Sequence, residues 1–214
     1  LKKSGHEPTF VVGGDIAEIG GSSCVGRGNL FVAEACEYDK TFLNLSPKIG
    51  VITNIDEDHL DYYKNIQGIT DAFLYFSTLI PQDGLLVVYD DDENIKKAIK
   101  NVRCQVARYS VVLACDNKQK AFLSDSDSFR SAPGALTNEF PCAVFGKSEK
   151  RWLAIVQDFD KARTLFSVYN DRGFFGSFCL QLPGMHNVKN ALAAITVCSN
   201  IGLRANVIEN AVAS

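Results

Sequence analysis

The sequence predicts an α/β fold in which a mainly parallel sheet is flanked by helices and a small antiparallel β-sheet subdomain lies beside it. Three observations carry this. Over residues 1–103 short apolar runs alternate with helical patterns, the signature of strand–helix–strand units. From Cys104 to Leu182 the pattern changes to residue-by-residue alternation, the period of half-buried strands. After Pro183-Gly184 the helical period returns. With 214 residues, 46% hydrophobic and 22% charged, the chain is long and apolar enough for one large packed core.

The elements follow in chain order. Leu1-Lys2-Lys3-Ser4-Gly5 reads as a helix end, with lysines in the last turn and glycine at the cap but no helix body before it, so the chain is expected to be excised from a longer protein. Strands are expected at Phe10 to Val12, Leu30 to Ala33, Ile49 to Thr53 and Leu85 to Tyr89, each a short apolar run. Between the last two, Ile66, Ile69, Phe73, Phe76 and Ile80 recur at helical spacing, and a shorter helix follows at Glu93 to Lys100. Trp152 to Val156, Thr164 to Tyr169 and Gly176 to Leu182 alternate as strands, with Asn170-Asp171-Arg172-Gly173 as a hairpin turn. Residues 113–150, polar and mixed, receive no element. In the last helices Ala191, Leu192, Ile195 and Cys198 face inward, Gly202 is the stop, and Val207, Ile208 and Ala211 share one face of a second run.

Charge and composition exclude several classes of function. A net charge of -3 with scattered lysines leaves no basic stripe for nucleic acid. No apolar run approaches the ~18 residues of a membrane span, and no export signal opens the chain. The seven cysteines, at 24, 36, 104, 115, 142, 179 and 198, form no C-x-x-C pair and read as free, mostly buried thiols of a cytoplasmic protein.

Three runs could carry chemistry. Leu30-Phe31-Val32-Ala33-Glu34 ends an apolar strand on a carboxylate, where open α/β sheets build ligand sites; Glu34 there can hold Mg²⁺, or simply be a solvated strand end. Ile52-Thr53-Asn54-Ile55-Asp56-Glu57-Asp58-His59-Leu60-Asp61 crowds carboxylates and an imidazole that would repel one another unless a cation or donors organised them, although a lone His59 among acids is also an ordinary surface residue. Pro183-Gly184-Met185-His186-Asn187-Val188-Lys189-Asn190 leads into a helix. Asn187 can cap it, and Asn187 and Asn190 together offer donor and acceptor amides that suit a purine edge. No glycine run is followed by Lys-Ser/Thr in a phosphate-cradling pattern, because Gly146-Lys147-Ser148 has Pro141 where the leading glycine belongs.

Together the runs resemble the Mur ligase family. The matching residues are Pro8-Thr9-Phe10 with Gly13-Gly14, Val32-Ala33-Glu34-Ala35 with Glu37 and Asp39, Thr53-Asn54-Ile55 through Asp58-His59-Leu60-Asp61-Tyr62, and Leu182-Pro183-Gly184 with His186-Asn187-Val188 and Asn190-Ala191. The resemblance implies a central, ATP-binding domain with a P-loop/Rossmann-like sheet. Residues 1–103 would be its parallel part, 104–182 its antiparallel part, and 183–214 the helices leading to a C-terminal domain; a G-x-x-G-K-[ST] loop is expected ahead of Leu1. It implies Glu34 and His59 as catalytic Mg²⁺ ligands and His186, Asn187 and Asn190 as nucleotide contacts. The implied reaction is phosphoryl transfer from ATP to the carboxylate of UDP-N-acetylmuramate, then attack by L-alanine on the acyl phosphate. Cys36 stands where the family carries an acidic residue. A ligase that recycles a muropeptide and a non-catalytic nucleotide-binding module are the alternatives.

Overall fold

The computed structural model describes residues 1–16, 20–114, 150–159 and 162–213. Two sheets organise them. The smaller holds β1 (Thr9–Ile16), β2 (Gly21–Cys24) and β3 (Phe31–Ala33) in the order β2-β1-β3, with β2 antiparallel and β3 parallel to β1. The larger holds β4 (Ile49–Ile52), β5 (Leu85–Tyr89), β6 (Gln105–Leu113), β7 (Lys150–Phe159), β8 (Thr164–Asn170) and β9 (Gly173–Leu180), and its spatial order is the chain order. β4 to β7 run parallel; β8 and β9 return antiparallel.

The α/β fold with a mainly parallel sheet flanked by helices is as expected, and two details of the antiparallel part differ. The antiparallel strands are no separate subdomain sheet but the continuation of the parallel one. The change of direction falls between β7 and β8 rather than at residue 104, since β6 pairs parallel with both β5 and β7. Side-chain alternation reports which face is buried and is silent on strand direction, so the sequence pattern could not separate the two. Asp171-Arg172 does turn the β8–β9 hairpin, between the paired Asn170 and Gly173.

Helices cover both faces of the large sheet. α1 (Leu60–Tyr63), α2 (Ile66–Leu79) and α3 (Glu93–Ala98) precede α4 (Met185–Asn200) and α5 (Ala205–Val212). On one face Leu86 and Val88 of β5 meet Ile69, Phe76 and Ile95; on the other Leu85 and Val87 meet Val188, Leu192 and Ile195 of α4. β5 is therefore apolar at every position because both its faces are covered, as a central parallel strand requires. Asn65 starts α2 by accepting from the Gly68 amide at 3.0 Å, and Asp92 caps α3.

The small sheet departs from expectation in burial. Phe31 is 63% exposed and Val32 40%, so Leu30 to Ala33 is a strand as read but not a buried one. Of the cysteines, 24, 36, 104, 179 and 198 are free; Cys104 is buried, Cys36 exposed and the other three half-buried, fewer buried thiols than expected. Cys115, Cys142 and nearly all of the 113–150 stretch lie outside the described residues. Among the described residues no helix is long and apolar enough to cross a membrane.

Candidate nucleotide site

The carboxyl ends of β4 and β5 and the first turns of α4 enclose a cleft of about 600 Å³. The segment after β4 contributes Thr53, Asn54, Ile55 and Asp56. The end of β5 contributes Tyr89, Asp91 and Asp92, running into Glu93 and Asn94. From α4 come His186, Lys189 and Asn190. Strand ends of a parallel sheet gather ligand sites because the connections that leave them diverge there.

The cleft floor is fixed from α3. Asp92 accepts with Oδ1 from the amides of Asn94 (2.8 Å) and Ile95 (3.0 Å), and with Oδ2 from the amide of Ile55 (3.1 Å). The Asn94 side chain donates back to the Ile55 carbonyl at 3.0 Å. Both polar groups of Ile55 are thus held, and the acidic run after β4 is anchored to the next strand's helix. Thr53 donates to Asn54, which donates to Asp56 Oδ2 at 2.8 Å. Across the cleft the Lys189 ammonium sits 4.1 Å from the Tyr89 ring centroid. Burial and then the Asp91 carboxylate hold the Tyr89 phenol well above its ordinary range, so it stays a donor.

The turn into α4 also differs from expectation. Its cap is Gly184, at φ 105, and not Asn187. A β-carbon at 184 would come within 3.0 Å of His186 Cε1, so glycine serves both the left-handed backbone and the closeness of the imidazole. Asn187 donates its amide backward to the Pro183 carbonyl at 2.7 Å and does not line the cleft, whereas His186 and Asn190 do.

Neither Glu34 nor His59 lines that cleft. Glu34 follows β3, and its Oε2 accepts from the Gly13 amide at 2.6 Å. His59 precedes α1 in the left-handed region at φ 55; its Nε2 lies 3.4 Å from Glu37 Oε1 and its ring meets Tyr38 edge-on at 5.2 Å. Glu34 and His59 share no hydrogen bond or ion pair; Glu37 is the acidic neighbour of His59. A pocket of about 200 Å³ is lined by Glu37, Asp58 and the same Thr53 to Asp56 run. That run therefore separates the two cavities.

Among the described residues no three or more His, Cys, Asp or Glu side chains gather as a metal centre. Magnesium used with a nucleotide keeps waters and phosphate oxygens and needs only one or two protein ligands, so a single exposed carboxylate such as Glu34 fits that use without a closed protein cage.

Tyr89, Asp91, Asp92, Asn94 and Lys189 were not singled out from the sequence. The signal was there for the first three: Leu85 to Tyr89 ends on Asp90-Asp91-Asp92, the same apolar-strand-to-carboxylate pattern that marks Glu34.

Comparison with known proteins bears on the family and the fold. The family profile described as Mur ligase middle domain matches residues 25–198. The chain is 36% identical over 203 residues to a UDP-N-acetylmuramate–L-alanine ligase of Caldanaerobacter subterraneus, covering 95% of this chain and 37% of the relative. It is 37% identical over 191 residues to the protein of the same name from Clostridium beijerinckii, covering 89% and 34%. The chain thus spans little more than a third of the length of these relatives. Among solved structures it resembles the UDP-N-acetylmuramate:L-alanyl-γ-D-glutamyl-meso-diaminopimelate ligase of Neisseria meningitides (TM-score 0.73, 20% identity, all of this chain and 59% of that one). It also resembles the UDP-N-acetylmuramate-alanine ligase MurC of Thermotoga maritima (TM-score 0.67, 21% identity, 99% and 39%). At these identities the structures speak to the fold alone.

Proposed function

The chain belongs to the Mur ligase family as its middle domain, and from that premise we propose that the full-length protein is a cytoplasmic, ATP-dependent ligase joining L-alanine to UDP-N-acetylmuramate. The observation that carries the reading is the cleft at the ends of β4 and β5, roomy enough for a nucleoside and faced by Asn190 and His186. The two relatives matched at 36% and 37% identity carry that activity in their names, which favours L-alanine over a muropeptide as the incoming amine.

In the reaction proposed, a carboxylate oxygen of the acceptor attacks the γ-phosphorus of ATP, the bond to the β-phosphate oxygen breaks, and ADP leaves. The amine of L-alanine then attacks the acyl phosphate, forming the amide, losing a proton and releasing phosphate. Asn190 and His186 hold the base end of the nucleotide. Asn187 braces the Pro183-Gly184 turn that aims them. Glu34, kept in place by the Gly13 amide, and His59, kept in place by Glu37, hold Mg²⁺, which when bound supplies positive charge at the phosphate oxygens. Residues 1–103, 104–182 and 183–214 act as one ATP-binding unit, with the G-x-x-G-K-[ST] loop and the domains for UDP-sugar and amino acid supplied by the remainder of the full-length protein.

The test is ADP release by the full-length protein with UDP-N-acetylmuramate, ATP and Mg²⁺, with L-alanine or the muropeptide as amine. Release that depends on L-alanine is expected; release only with the muropeptide, or with neither, overturns the reading. Asn190→Ala should raise KM for ATP with little change in kcat, because contacts to the base act alike in ground and transition states. Asn187→Ala should instead lower stability by about 1 kcal/mol, the worth of an ordinary hydrogen bond.

A further inference from the structure

The segment leading from β3 toward β4 presents a lysine in an unusual way. Asp39 and Lys40 both occupy the left-handed region, at φ 49 and 63, a conformation that L-residues keep only where surrounding contacts impose it. Those contacts are visible. The Thr41 amide donates to Asp39 Oδ1 at 3.2 Å, and the Thr41 hydroxyl to the Cys36 carbonyl at 3.2 Å. The Tyr62 hydroxyl donates to the Asp39 carbonyl at 3.2 Å, and the Tyr63 hydroxyl to the Glu37 carbonyl.

Held this way, the Lys40 ammonium lies 5.9 Å and 5.8 Å from the ring centroids of Tyr62 and Tyr63. Tyr62 in turn stands 6.1 Å from Tyr38, and Tyr38 meets His59. Tyr38 and Tyr62 remain 45% and 42% exposed. The ammonium, the two open rings and the imidazole form one continuous strip.

Its charge is the informative feature. The surrounding segments carry Glu34, Glu37, Asp39, Asp56, Asp58 and Asp61, yet among the described residues Lys40 pairs with none of them, whereas Lys48, Lys96, Arg27 and Arg108 each have a carboxylate. A cation kept over aromatic rings, away from nearby acids, is available to an incoming anion.

We propose that Lys40 binds the carboxylate of the acid acceptor and that the exposed rings of Tyr38 and Tyr62 form the surface against which the rest of the acceptor lies. The proposal rests on the ligase reading. In that reaction a carboxylate has to reach the γ-phosphoryl group beside Glu34 and His59, so two anions meet on an acidic face, and an ammonium there offsets their repulsion. Lysine suits the task because its charge is compact and its donors rotate, keeping contact while the carboxylate becomes an acyl phosphate.

The experiment is steady-state kinetics of the full-length protein, wild type against Lys40→Met and Lys40→Arg, at several KCl concentrations. The expected result is a rise of roughly tenfold or more in KM for UDP-N-acetylmuramate in Lys40→Met, with KM for ATP within about twofold of wild type and a shallower salt dependence of the acceptor KM; Lys40→Arg regains most of the loss. An unchanged acceptor KM in Lys40→Met overturns the assignment. So does an equal rise in both KM values, which is what a merely distorted loop produces. Failure of the underlying reading shows separately, in wild type alone, as an absence of ADP release that depends on UDP-N-acetylmuramate, and it removes the Lys40 assignment with it.

Discussion

Gly13 and Glu34 are fitted to each other atom by atom: the amide of one donates to the carboxylate of the other, and a β-carbon at 13 would lie 3.2 Å from both carboxylate oxygens. The backbone at 13 is not left-handed, so alanine there meets crowding at the tip of a flexible side chain and little else. Gly13→Ala is expected to turn Glu34 away and lower kcat of the full-length protein roughly tenfold, while stability changes by less than about 0.5 kcal/mol. Unaltered kcat, read beside a thermal melt, would detach Glu34 from the chemistry. A second residue tests packing. The Tyr109 hydroxyl is the one buried side-chain polar atom without a partner among the described residues, and burial with the neighbouring Tyr89 holds its pKa above the ordinary value. Removing an unpaired donor removes its desolvation cost, so Tyr109→Phe should stabilise the fold by about 1 kcal/mol in urea titration, and destabilisation would mean that the hydroxyl has a partner in solution. Residue types singled out Glu34, His59, Asn187 and Asn190 as candidates, because charge at a strand end and amides at a helix start are written in the sequence, and the resemblance added His186; of these His186 and Asn190 line the cleft. Residue types could not point to Lys40 or Lys189, because which ring each ammonium overlies is set by the fold.

At the scale of elements, Asp92 is a cap with a second duty. One oxygen satisfies two amides at the start of α3 and the other holds Ile55 in the neighbouring connection, so a single side chain ties the β4 end to the β5 end. Asp92→Ala should cost about 2 kcal/mol, more than an ordinary cap, and raise KM for ATP as the Thr53 to Asp56 run loosens; Asp92→Asn, which keeps an accepting oxygen, should recover part of the stability. A loss no larger than a simple cap gives would show that the Ile55 contact contributes nothing. The elements that were legible in advance share a physical cause. α2, β5 and the β8–β9 hairpin each bury a periodic apolar face or carry a turn with few backbone choices. β2, Gly21-Ser22-Ser23-Cys24, has no such face and went unread. The parallel pairing of β6 with β7 went unread because the alternation of side chains along a strand does not report its direction.

Across the whole molecule, buried phenols set an alkaline limit. Burial, reinforced by Tyr62, Glu37 and Asp39, pushes the Tyr63 hydroxyl up to about 12, and burial raises Tyr89, Tyr109 and Tyr169 as well. A phenol raised from 10.0 in the unfolded chain binds its proton more tightly when folded. The stability this represents is complete below about pH 10 and is lost as pH climbs through about 12, on the order of 2 kcal/mol for Tyr63. Denaturant titrations over that range should show the decline, and Tyr63→Phe should flatten it; an equally steep decline in the variant would place the titration elsewhere. The small sheet has a different consequence. β3 ends its sheet and β4 begins the other, each with one edge unpaired among the described residues, and Val11, Phe31 and Val32 lie exposed beside the first. An open row of backbone donors and acceptors next to bare apolar side chains is a template for further strands, and a net charge of only -3 does little to keep copies apart. In concentrated solution the chain expressed by itself should therefore be colloidally unstable, scattering more light as concentration and salt rise, and Phe31→Lys should clear it, since a lysine on an edge strand blocks that template at the cost of no buried contact.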